Sequence, residues 1–271
     1  MSIVVNTNIG SLNAQRSLAE SSRELSTAME RLSSGKKINS AADDAAGFAI
    51  AERMTAQVRG LNMATKNAND GLAMLATIES ATNDVTDMLQ RIRELAVQAA
   101  NDTNGTQDRT YLQTEVDSLV AEINRVSTDT VYNDSVVLDG NLSGSLQVGT
   151  ASGQTIDFAI TSIDTTTLGV DALDLSDATN AATALTAIDS AIETVAGNRA
   201  GYGALSNRLE YTVSNLMNVA EFTTAARSRI EDADFAAESA RLAKAQVLQQ
   251  TGTAMLAQAN ASSQLAIQLI R

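Results

Sequence analysis

Asp43 and Asp44 stand side by side in "INSAADDAAG", and adjacent carboxylates are what a hard divalent cation or an acid–base step would use. A simpler explanation lies in the same stretch. Both acids precede apolar positions at helical spacing, where negative side chains meet the positive end of a helix. "SSGKK", Ser33 to Lys37, has the Gly-Lys pair of a phosphate loop, but Glu30 stands where that loop's first glycine belongs. It reads as a helix cap and hinge. Met54, Met63, Met74 and Met88 fall along one helical stretch and read as core filler rather than a cofactor site. Asn-x-Ser/Thr triplets such as Asn133 to Ser135 recur as chance predicts in a chain this rich in Asn, Ser and Thr. The chain has no His and no Cys, so the commonest general base and the thiol nucleophile are missing. The expectation is no catalytic, cofactor-binding or metal site, and no enzyme.

Composition points to what the chain is built from. Hydrophobic residues make up 44% but aromatics only 3%, and there is no proline. Alanine recurs throughout, which suits long packed helices that no proline breaks. A net charge of -13 argues against nucleic acid or an anionic membrane as partner. "MSIVVNTNIG" lacks a charged start and a long apolar run, so no cleaved targeting segment is expected, and no stretch approaches the ~20 apolar residues of a membrane span.

Leu18, Leu25 and Leu32 are seven apart, with Ala14 four residues before Leu18 and Ala28 between Leu25 and Leu32, a helical seam. It ends at Gly35, a predicted left-handed cap, with Arg31, Lys36 and Lys37 near the negative helix end. A second helix is predicted after Ser40, with Ser40 and Asp43 as a capping box. Its apolar positions run from Met54 to Ala99 without a break, nearly sixty residues or about 85 Å. "NDTNGTQD" then turns the chain at Asn104 and Gly105, with Thr106 as predicted N-cap. Leu112, Val116, Leu119, Ile123 and Val126 follow in 4-3-4-3 spacing, and the short link predicts an antiparallel pair.

From Val126 through Asn198 there is no Lys or Arg but ten acidic residues, which predicts a solvated, outward-facing segment. Within it, Leu146–Val148 and Thr155–Ile160 alternate across "GTASG" and predict a β-hairpin. Helical periodicity returns after Ser176 with Ile188, Val195, Tyr202, Leu209, Leu216 and Ile230. Gly197, Gly201 and Gly203 weaken that helix and are expected to allow close helix packing. A last helix carries Leu248, Met255 and Leu269. The apolar "LAIQLIR" at the chain's end raises the question of what surface it meets.

"RLSSGKKINSAADDAAGFAIAERM", "NANDG", "LQRIRELAVQAAND", "SRIEDADFA" and "QVLQQTGTAMLAQAN" closely resemble the terminal regions of the bacterial flagellins, in the same order. The resemblance covers roughly residues 1 to 130 and 180 to 271, with a minimal variable region between. It implies a mainly α fold: a long antiparallel helical bundle or coiled coil formed from both chain termini, with a small β-hairpin region in the middle. The organisation it implies is an N-terminal helix of the filament core over 1–44, paired with a C-terminal helix over 233–271. Between them come long rod helices over 45–130, a hairpin and short exposed variable region over 131–180, and a C-terminal rod helix over 181–232.

The implied function is a structural subunit that polymerises into the flagellar filament for swimming motility. It would be extracellular, exported by the flagellar secretion apparatus without a cleaved signal peptide. Implied partners are further copies of the chain, an export chaperone, and the filament cap and hook-junction proteins, with neither nucleic acid nor membrane. Leu18, Leu25, Leu32, Leu248, Met255 and Leu269 are then the filament-core packing residues. "LQRIRELAVQ" implies a rod interface that a host Toll-like receptor also contacts, at Gln90, Arg91, Leu95 and Glu115. Two other readings stay open at this point, a hook-filament junction protein and a cytoplasmic chemoreceptor-like signalling coiled coil.

Overall fold

The computed structural model describes the backbone of residues 7–268 and the side chains of 7–262. Six helices and two short antiparallel strand pairs occur among the described residues: α1 (Ile9–Ser34), α2 (Ala45–Ala99), α3 (Thr106–Asp129), β1 (Val131–Tyr132), β2 (Ser135–Val136), β3 (Ser143–Gln147), β4 (Thr155–Ala159), α4 (Thr165–Leu168), α5 (Ala178–Glu231) and α6 (Phe235–Gln268). The chain divides into two compact units, one from residues up to Ala56 with those from Phe222 onward, the other Gln57–Glu221.

In the first unit α1 packs on α6. The Asn8 side chain caps α1 by accepting the Ser11 N–H at 3.0 Å and donates to the Ala259 carbonyl at 2.8 Å. A Cβ placed on Gly252 would lie 3.2 Å from Leu18, and Arg31 meets Glu238 at 3.2 Å. As numbers rise from 8 through 18 to 31 in one helix, they fall from 259 through 252 to 238 in the other, so the pair is antiparallel. Gly35 ends α1 at φ 71°, its N–H bonded to the Arg31 carbonyl, a conformation that favours glycine. Beyond it, Lys37 N–H donates to the Glu231 carbonyl at 2.6 Å and Ala233 N–H to the Gly35 carbonyl at 3.0 Å. "SSGKK" is thus a cap followed by a tie between the two connectors.

Two predicted caps move. Helix α2 begins at Ala45 rather than after Ser40, and Asp44 caps it by accepting the N–H groups of Ala46 and Gly47 at 3.1 and 2.9 Å. Asp43 instead closes the preceding turn, accepting from the N–H groups of Asn39 and Ser40 and from the Ser40 hydroxyl. The backbone bonds to Ser40 and Asn39 hold its carboxyl below the ordinary aspartate range. Both members of the best-looking acid pair are therefore engaged, Asp44 in capping α2 and Asp43 in the turn before it. At α3 the N-cap is Gly105, not Thr106; the Asp108 carboxylate reaches back to the Gly105 N–H at 3.0 Å.

The second unit is built on α2, α3 and α5. Arg93 on α2 meets Asp189 on α5 at 2.6 Å and Glu79 meets Arg199 at 2.6 Å, opposite numerical directions that make these helices antiparallel. Ile78, Val85, Leu89 and Ile92 of α2, Val116 and Ile123 of α3, and Ile188, Val195 and Leu209 of α5 fill the core. Full burial of each such side chain contributes about 1.5–3 kcal/mol.

The acidic middle differs from the solvated segment expected of it. Asp134, Asp139, Asp157 and Asp171 do face outward, but Val137, Leu138, Ile156, Ile163, Val170 and Leu175 are buried and complete the core. Strands β3 and β4 pair Leu146 with Ile156 and Gln147 with Thr155, and Val148 falls just past the end of β3, its N–H donating to the Gln154 carbonyl at 2.9 Å. Gly71 of α2 gives β3 room, since a Cβ there would sit 2.5 Å from Leu146. The hydroxyl of Tyr202 on α5 accepts the Thr161 N–H just after β4 at 3.2 Å. A second hairpin, β1–β2, turns on Asn133 and Asp134 at φ 48° and 63°, the left-handed pair of a two-residue turn. The expected packing role of Gly197, Gly201 and Gly203 is not met within the chain. A Cβ on any of them would find nothing within 4 Å.

Candidate functional site

The surface of α1 and α6 is the feature of the first unit that its own chain does not explain. Where the helices meet, the buried residues are Ser11, Ser21 and Ala28 of α1 and Glu238 and Ala245 of α6. Small side chains and Gly252 let the helices approach closely but bury little apolar surface. Leu18, Leu25 and Leu32 are half-buried. On α6 the predicted seam residues Leu248 and Met255 are 42% and 63% exposed. Leu269 lies outside the described residues. Ile9, Leu12, Met29, Phe235 and Val247 add further exposed apolar side chains.

A groove of about 690 Å³ runs along the pair, lined by Ala14, Ser17, Ser21, Leu248, Gly252 and Met255 among others. Two adjacent helices thus carry one seam of small residues inward and large apolar side chains outward, the reverse of a self-sufficient helical hairpin.

One charged contact fixes the register of this pair. Glu238 is 5% exposed and takes Arg31 at 3.2 Å and Arg241 at 2.8 Å on the same carboxylate oxygen. Sequence reading does not single out Glu238. The available signal is its place in the first turn of α6, four residues after Asp234, whose carboxylate accepts the Ala236 and Ala237 N–H groups at 2.9 and 3.2 Å.

The four residues of the implied receptor surface separate. Arg91 on α2 is exposed and donates from Nε and Nη2 to Glu115 on α3, at 3.0 and 2.8 Å, and from Nη1 to Glu94 at 3.0 Å. These bonds, Glu115 first, raise its guanidinium above the ordinary value and keep it charged. Gln90 and Glu115 are also exposed. Leu95 is not available at that surface: at 1% exposure it lies in the core of the unit. Its place in the α2 seam explains this, since Leu89, Ile92 and Ala96 turn to the same side. The exposed apolar side chain of the stretch is Val97, one helical face with Gln90 and Glu94 by spacing.

Among the described residues there is no group of three acidic, His or Cys side chains placed to hold a metal ion, and no helix is long and apolar enough to cross a membrane. The arrangement is suited to packing against further helices.

The family model for the bacterial flagellin N-terminal helical region matches residues 5–143, and that for the bacterial flagellin C-terminal helical region matches residues 185–270. A flagellin of Halalkalibacterium halodurans is 43% identical over 272 residues, covering 99% of this chain and all of the relative. The flagellar filament 33 kDa core protein of Treponema phagedenis is 39% identical, again over 99% of this chain and all of its own length. Among solved structures, Bacillus cereus flagellin aligns with a TM-score of 0.50 at 29% identity, over 56% of this chain and 88% of that one. The matched segments flank the middle of the chain, from within β3 to the start of α5, and take in all of α1 and α6. The chain belongs to the bacterial flagellin family.

Proposed function

We propose that the chain works as a structural subunit of the flagellar filament through the paired helices α1 and α6, which pack against the same helices of neighbouring copies. The observation that carries this reading is the exposure of Leu248, Met255, Leu12 and Ile9 on a helix pair whose own contact fully buries no apolar side chain larger than alanine. Each subunit repeats the same apolar contacts, so a modest contribution per side chain acts at every step along a polymer. The division into a filament-core pair, 1–44 with 233–271, flanking rod helices and a short outer region belongs to this reading.

Assembly outside the cell follows from it, with export by the flagellar secretion apparatus and no cleaved signal peptide. An export chaperone that shields the apolar face of α6, and cap and hook-junction proteins that meet it at the filament ends, are its partners. A host Toll-like receptor is a further partner, and Gln90, Arg91 and Glu115 are the residues of "LQRIRELAVQ" and α3 that it would reach on the free subunit. The role is structural, without catalysis. Electron microscopy of the purified protein after salt-induced assembly tests it: long filaments are expected, whereas soluble dimers would favour a signalling coiled coil.

A further inference from the structure

The turn between α2 and α3 holds the chain's single Asn-Gly pair, Asn104–Gly105. Asn-Gly is the sequence in which a backbone nitrogen most readily attacks the preceding side-chain amide, because glycine has no Cβ to shield its nitrogen. Both reacting groups are tied here. The Gly105 N–H, whose nitrogen would attack, donates to the Asp108 carboxylate at 3.0 Å. The Asn104 side-chain NH2, which would leave, donates to the Gln98 carbonyl. Asn104 N–H is bonded to the Asn101 carbonyl at 3.1 Å, and the Arg109 guanidinium bonds the Ala99 and Asn101 carbonyls at 2.9 and 3.1 Å. Gly105 itself is exposed, so water has access to the turn.

We propose that Asn104 is a self-modification site of this subunit, and that Asp108 holds it closed by occupying the Gly105 N–H. When that bond opens, the Gly105 nitrogen loses its proton and attacks Cγ of Asn104. A C–N bond forms, the bond from Cγ to the side-chain nitrogen breaks, and ammonia leaves, giving a five-membered cyclic imide. Water then opens the imide at either carbonyl, yielding aspartate or isoaspartate. The net reaction is amide plus water to carboxylic acid plus ammonia, with no redox step.

The product matters because of where it forms. A new carboxylate appears just beyond the C-terminal end of α2, the negative end of the helix, beside Asp102 and Asp108, and the Gln98 carbonyl loses its donor. The isoaspartate form also lengthens the backbone of the turn by one carbon. Arg109 still ties that turn to α2, so the helices stay joined while the connection loosens. A subunit that persists in a polymer would in this way record its age at one position.

The test is peptide mapping by mass spectrometry of the full-length protein incubated at mildly alkaline pH. It follows the mass gain of Asn104 and the isoaspartate formed. Folded wild type should react about tenfold more slowly than the urea-unfolded chain, the factor set by one hydrogen bond to a charged group. Asp108→Ala should recover most of that factor, and Asp108→Asn, which keeps an acceptor, should stay near wild type. Circular dichroism checks that the variants remain helical. Were Asp108→Ala to lose helix, amide exchange at Gly105 in the wild type decides: protection supports the proposal, and exchange at the unfolded rate overturns it. Equal rates for folded wild type and a helical Asp108→Ala variant would also overturn it.

Discussion

Arg31 in the last turn of α1 and Glu238 in the first turn of α6 meet at 3.2 Å across 207 residues of sequence, with the Glu238 side chain 6% exposed. Removing a partner from a buried pair costs several kcal/mol because a charge is left unpaired. Here Arg241 is largely exposed and Arg31 partly so, which reduces the penalty to about 2 kcal/mol. Glu238→Ala should therefore open the α1–α6 pair more readily, seen as faster hydrogen exchange around Ala28, while exchange around Leu89 is unchanged. Glu238→Gln should be milder.

Gln113 on α3 makes two bonds to one loop segment, donating to the Leu173 carbonyl at 2.9 Å and accepting the Leu175 N–H at 2.7 Å. Gln113→Ala leaves a backbone donor beside the fully buried Leu175 without a partner. The expected loss is about 1–3 kcal/mol, read as a lower denaturant midpoint. An unchanged midpoint would mean that water replaces the side chain.

The helices and seam of the second unit are legible in the amino-acid sequence because leucine, isoleucine and valine at positions such as Ile188, Val195 and Leu209 repeat at a helical period and are all buried. The seam of the first unit is not legible in the same way. Its fully buried positions include Ser11, Ser21 and Ala28, which carry little hydropathy signal; of the residues that periodicity singles out, Leu18, Leu25 and Leu32 are half-buried, while Leu248 and Met255 are exposed. Hairpin β1–β2 escapes a sequence reading because strands of two residues have no period, and its Asn133–Asp134 turn lacks the usual glycine. Leu95 shows a further limit. A motif names a stretch of helix but not which of its faces is buried.

Gly197, Gly201 and Gly203 lie within α5 with open space where a Cβ would go. Gly197→Ala and Gly203→Ala should each stabilise the isolated subunit by about 0.5–1 kcal/mol, measured as a rise in thermal midpoint. Gly71→Ala, whose Cβ would come within 2.5 Å of the flexible end of Leu146, should raise it less, because that side chain must move. If the α5 glycines serve close approach between copies, the same two variants will assemble poorly despite their stability.

Asp164 caps α4, and its bonds to Thr167 hold its carboxyl below the ordinary aspartate value of 3.8. A carboxyl depressed in the folded state binds its proton less readily there than in the unfolded chain. Its contribution is complete above that ordinary value and is lost as pH falls through the lower folded value. Asp164→Asn should therefore flatten the pH dependence of stability below about pH 4, its loss of stability being largest, and constant with pH, between about pH 6 and pH 8. Denaturant unfolding across that range is the check; a steeper acid limb in the variant would contradict the sign.

Sedimentation of assembled protein against subunit concentration, for wild type and Met255→Asp, tests the proposed role of α1 and α6 most directly. Met255 is 63% exposed in the single chain, so the charge should leave the subunit helical by circular dichroism. In the polymer the same position would be covered, and an unpaired carboxylate there raises the concentration needed for assembly by about tenfold or more. Met255→Leu, which keeps volume and polarity, should assemble nearly as wild type. Unchanged assembly by the Asp variant would contradict the account, because the outward face of α6 would then not be what neighbouring subunits bury.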